Sequence, residues 1–196
     1  MPTRRTRCRW SLAVGMLALL VPSPAAAQFA RHYIAFSVGA THNDLSDNLV
    51  NLGWRWGGTA GVQAGLVTFD YAYLELAPAW TQTGGGHIRL DYLSVPLMLG
   101  GLLAAGRDVF VRPYGGISLS VRFGCRTDLT QACDVARRTV WSVPFGLSVV
   151  KVLASGDLAG VDARYVLTVS DVFDVSFLTQ RSWQFRLLFG RLLGGR

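Results

Sequence analysis

Hydrophobic and polar residues alternate with a two-residue period along most of this chain. The longest clean run is Leu90–Gly100, where Leu93, Val95, Leu97 and Leu99 share one parity and Tyr92, Ser94, Pro96 and Met98 the other. A period of two places successive side chains on opposite faces of a strand, so one face of this segment is continuously apolar. Pro96 lacks a ladder donor, which in a sheet marks an edge or a bulge. The same alternation predicts seven more strands, over 31–40, 54–66, 71–80, 109–122, 141–149, 161–169 and 183–190. Polar or glycine-rich stretches separate them. Thr41–Asn51, Thr83–Gly86, Gly124–Arg138 and Ser170–Gln180 read as loops, whereas Thr68–Asp70, Gly101–Asp108 and Ala154–Asp157 read as turns.

Connections of about eleven, five, fifteen and eleven residues thus fall on one side and shorter ones on the other, the pattern of an outer-membrane barrel with both termini in the periplasm. The predicted fold is all-β: an eight-stranded antiparallel up-and-down transmembrane β-barrel. Trp54, Trp56, Trp80, Trp141 and Trp183 all fall at the long-loop ends of their strands, where an aromatic girdle at the membrane interface would lie. A soluble lipocalin-like barrel would also alternate, but it would place charges on its outer face. Here the polar parity is mostly Gly, Ser, Thr and Ala.

The N-terminus changes the reading of charge and compartment. Arg4, Arg5, Arg7 and Arg9 precede an apolar run of about twelve residues, and Ala25 and Ala27 follow as a cleavage-site pair. This is the layout of a signal peptide over residues 1–27, cleaved to leave the barrel domain, 28–196; a helical span needs roughly twenty apolar residues. Without those four arginines, the formal charge of +7 falls to +3, so basicity is no argument for nucleic acid. The mature chain retains Cys125 and Cys133. An even pair in an exported protein favours a disulfide over a metal site. The aspartates are scattered over several loops, and neither a metal constellation nor a cofactor motif appears. Gly84–Gly86 lacks the Lys-Ser/Thr of a phosphate loop.

On the lumen parity lie Glu75, Arg112, Asp162, Arg164 and Arg186, at similar depth. An eight-stranded barrel is only wide enough for side chains to fill, so these charges are expected to pair and, with Tyr73, Tyr114 and Gln63, to plug it. The alternative is that some arginines snorkel to the rim.

From Ile34 to Phe189 the order of features resembles the PorT-like, or outer membrane protein β-barrel domain, family. It shows a Gly-rich second strand, a third strand with leucines and Glu75, then Tyr92–Pro96, then Pro-Tyr-Gly-Gly at Pro113–Gly116. The resemblance implies residence in outer-membrane lipid and insertion by the barrel-assembly machinery, although the chain runs past Phe189 to Arg196 instead of ending on an aromatic residue. It implies a non-enzymatic structural or surface-interaction role, with long loops where an extracellular protein or glycan partner would dock. Two rival classes remain. A soluble ligand-binding barrel is one, and a lipid-modifying barrel enzyme is the other. For the enzyme, only His87, with Asp91 four residues on, is placed for lipid chemistry, since His42 is read in a loop and His32 near the periplasmic rim.

Overall fold

A computed structural model describes residues 32–46, 51–69, 71–128, 132–173 and 179–193. The signal-peptide segment 1–27 lies outside them. Ten strand pieces form the wall: β1 (His32–Ser46), β2 (Asn51–Phe69), β3 (Ala72–Leu76), β4 (Ala79–Gly85), β5 (Ile88–Gly101), β6 (Leu103–Ala104), β7 (Val109–Arg126), β8 (Thr139–Val152), β9 (Asp157–Thr168) and β10 (Thr179–Leu193). They make eight staves, because β3 with β4, and β5 with β6, are each one stave interrupted at Ala77–Pro78 and at Leu102. Every neighbouring pair is antiparallel. The ring closes through β1 and β10, which stay in register from His32 opposite Leu193 to Ser46 opposite Thr179.

Pro96 sits in the middle of β5 without a bulge of its own. Its carbonyl accepts the Ala77 amide at 3.1 Å. In an antiparallel ladder the N–H and C=O of one residue point the same way, so the donor Pro96 lacks would face the interruption of the third stave. The reciprocal bond from residue 96 to the Ala77 carbonyl is the one the proline removes, at the point where the third stave is interrupted.

Several expected loops are wall. β1 continues through Thr41–Ser46, β4 runs to Gly85, and β7 includes Cys125 and Arg126. The polar sequence misled because both faces of the wall turn polar once it leaves the lipid. Thr41 Oγ1 donates to the Gln82 carbonyl at 2.7 Å and Asn43 Nδ2 to Thr41 Oγ1 at 2.9 Å, inside the ring. The β4–β5 connection is therefore only Gly86–His87, where Gly86 has φ 49°. Staves of 14 to 19 residues such as β2, β5 and β7 exceed the roughly nine to eleven needed to cross a bilayer.

The outer face is apolar between charged rims. On β10, Trp183, Phe185, Leu187 and Phe189 point outward between Arg181 and Arg191. Ten residues at about 3.4 Å, tilted by roughly 40°, project to about 25 Å, the height of an outer-membrane barrel's apolar band. Phe36, Val38, Leu66, Leu97, Leu99, Ile117 and Val161 continue this exposed band around the ring. A soluble barrel would have to solvate all of it.

Candidate functional site

Below the middle of the lumen, towards the short turns, large rings are seated against glycines. Tyr33 stands opposite Gly65, Tyr73 opposite Gly100 and Tyr114 opposite Gly146 in the ladders. A Cβ at Gly65 would lie 2.0 Å from the Tyr33 ring, one at Gly100 2.5 Å from the Tyr73 ring, and one at Gly146 2.7 Å from the Tyr114 hydroxyl. Each glycine thus makes room for the tyrosine beside it, a cross-strand pairing that fills a narrow barrel without splaying it.

These tyrosines organise two charged groups. In the first, Arg112 Nη2 lies 2.5 Å from Glu75 Oε2. The Tyr33 hydroxyl donates to Glu75 and accepts from Arg112. The guanidinium lies 4.2 Å from the Tyr73 ring centroid and 4.7 Å from that of Tyr33, within cation–π range. In the second, Arg186 donates through Nε and Nη2 to Asp162 Oδ1 at 2.9 and 2.7 Å. Tyr114 donates to Asp162 Oδ2 at 2.6 Å and accepts from Arg164 Nε at 3.0 Å. Arg112, Arg164 and Arg186 are 2%, 3% and 3% exposed, so these side chains lie in the lumen and not at the rim. Gln63 is buried on β2 without a partner for Nε2 among the described residues. An apolar floor of Phe110, Val150, Leu158, Leu188 and Met98 underlies the charges.

Above Arg164 the wall changes to small hydroxyls. Ser94, Ser118, Ser120, Ser142, Thr168 and Ser182 are among the residues surrounding a cavity of about 40 Å³. It is roofed by Leu45, Ile88, Leu90, Tyr92 and Val140 together with Ala136, Val172 and Phe173 from the outer connections. Those connections are tied down locally. Cys125 and Cys133 form a disulfide between the end of β7 and a short helix α1 (Ala132–Val135). Arg122 Nη1 donates to the Cys133 carbonyl at 2.8 Å, the Arg137 amide to the Val172 carbonyl at 2.8 Å, and Ala136 bridges Phe173.

On the outer face Trp54, Trp56, Trp141 and Trp183 are exposed, whereas Trp80 is half-buried and donates Nε1 to Asp91 at 3.3 Å. The staves extend several residues beyond Trp80 and Trp183, whereas Trp141 is the third residue of β8. His42, expected in a loop, belongs to β1 and stacks on Trp54 at 4.4 Å and 6°. Tyr165, 4.9 Å from Trp183 and 5.3 Å from Phe145, extends the belt. Sequence reasoning could have found His42 by carrying the β1 parity two residues further. The His87–Asp91 pair does not form. His87 occupies the tight turn and faces Asp128, Nδ1 to Oδ2 3.6 Å, with both side chains exposed. Asp91 is engaged by Trp80, by Gln82 at 3.2 Å and by Arg89.

No protein-family model matches the chain, and no curated protein matches it. Solved structures do. Outer membrane protein OprG from Pseudomonas aeruginosa is 12% identical over 85% of this chain and 97% of its own, with a TM-score of 0.54. Neisserial surface protein A is 15% identical over 83% and 97%, with a TM-score of 0.58. The outer membrane protein AlkL, determined in lipid bilayers, is 12% identical over 84% and 91%, with a TM-score of 0.51. At these identities the likeness is one of fold. Together with the apolar band between charged rims, it makes this chain a small bacterial outer-membrane β-barrel.

Proposed function

We propose that this barrel is non-enzymatic, closed by its own side chains, and has a structural or surface-interaction role. The observation that carries this reading is the layer of Glu75–Arg112 and Asp162–Arg186 pairs, braced by Tyr33, Tyr73 and Tyr114 across a lumen that an eight-stranded ring leaves narrow. Function then falls to the outer surface. The disulfide-held β7–β8 connection and its contact with the β9–β10 connection offer an ordered face to an extracellular protein or glycan. The Tyr92–Pro96 and Pro113–Gly116 segments support placing the chain near the PorT-like barrels. The leader-like residues 1–27 support export, with insertion into outer-membrane lipid by the barrel-assembly machinery. The pairing of His87 with Asp91 on which a lipid-modifying activity was expected to rest does not form, since Asp91 is held by other partners.

Planar-bilayer recording of the purified protein tests the closed lumen. No steady single-channel conductance is expected. Stable, reproducible conductance steps from the unmutated protein would overturn the reading.

A further inference from the structure

We propose that the upper lumen holds one small inorganic anion of the size of chloride, bound by the Arg164 guanidinium. The first ground is charge balance. In the charged layer three arginines face two carboxylates, and both carboxylates are committed, Glu75 to Arg112 and Asp162 to Arg186 and Tyr114. Arg164 donates to the Tyr114 hydroxyl through Nε, and its Nη2 has no hydrogen-bond partner among the described residues. An unpaired ion in a buried site is costly enough that a partner is normally found.

The second ground is the cavity. Arg164 forms part of its wall, and among the described residues no carboxylate does. The hydroxyl-bearing residues Ser118, Ser142 and Thr168 are also in that wall. Hydroxyls can turn their protons towards an anion, so the wall offers donors around one uncompensated positive charge. A volume of about 40 Å³ admits a small inorganic ion. Water can solvate the hydroxyls but leaves the charge of Arg164 unbalanced.

The test is urea unfolding of the full mature chain in detergent micelles, with chloride replaced by gluconate at constant ionic strength. A bound anion stabilises the folded barrel by mass action. Above the dissociation constant, each tenfold rise in chloride should therefore raise the folded-to-unfolded ratio at fixed urea by about tenfold. Bromide should substitute for chloride. Arg164→Gln should abolish the dependence, and Arg181→Gln, at the outer rim, should preserve it. If Arg164→Gln does not fold, bromide soaked into crystals of the unmutated protein decides the matter by anomalous scattering beside the Arg164 guanidinium. Coincident chloride and gluconate curves, or a soaked cavity without bromide, would overturn the proposal. Because this readout is stability, it can fail while the lumen proves non-conducting, and the reverse also holds.

Discussion

In the lower lumen tyrosine rings stand opposite glycines and charges are bonded in groups, whereas in the upper lumen small residues stand opposite small residues around open space. Tyr33, Tyr73 and Tyr114 each face a glycine, but Ser94 faces Ser120, Ser118 faces Ser142 and Ser142 faces Thr168. The backbone ring is the same at both levels. Whether an eight-stranded lumen is filled is therefore a matter of how residue sizes are paired across neighbouring strands. Ion pairs belong in the filled half, where the tyrosines exclude water and supply the remaining hydrogen bonds. The half left open needs a roof, made here by residues at the stave ends together with residues from two outer connections.

This contrast can be broken most severely at Glu75. Glu75→Ala leaves the Arg112 guanidinium buried without its carboxylate, and losses of that kind cost about 3–5 kcal/mol. Urea unfolding in detergent should show a large drop in midpoint. A drop no greater than that caused by an outer-connection substitution would mean that the lower lumen is not the stabilising half.

The roof is probed by replacing both Cys125 and Cys133 with serine. For so short a ring the chain-entropy model gives about 2–3 kcal/mol. The loss should fall on the roof, because the barrel ladder is closed without the bond. Limited proteolysis should therefore cut the β7–β8 connection sooner while the staves remain protected. Mass analysis of the unmutated protein prepared without reductant should find no free thiol at either position.

Gly65→Ala sharpens the size-pairing argument. Its new methyl would overlap the Tyr33 ring, and overpacking of this kind costs about 1–3 kcal/mol. Gly58, on the outer face with the Trp80 ring 3.4 Å from a built Cβ, provides the control and should tolerate alanine with little change in midpoint. Equal responses at the two glycines would show that neither serves a ring.

The smallest effect belongs to the open half. Ser94→Ala removes the 2.8 Å hydroxyl pair with Ser120, and a single hydrogen bond of this sort contributes about 0.5–1.5 kcal/mol. A loss comparable with that of Glu75→Ala would place the stability of the barrel in its upper half instead.

The sequence by itself determined which side chains face lipid and which face the lumen, because strand parity is local and each residue reports it through its immediate neighbours. That rule was enough to place Leu93, Val95, Leu97 and Leu99 outside and Glu75, Arg112, Asp162, Arg164 and Arg186 inside. It was also enough to count eight staves. Only the tertiary structure decided which inward residue meets which. Register comes from pairings between distant segments and from the tilt needed to close the ring, neither of which is written in any one strand. Thus the pairing of Arg112 with Glu75 and of Arg186 with Asp162, the tyrosine over each glycine, and His87 facing Asp128 instead of Asp91 were beyond local reading. The wall's extension past the lipid was hidden for a related reason. Thr41 and Asn43 look like loop residues in sequence, and only the ring shows that their polar side chains turn inward to the Gln82 carbonyl.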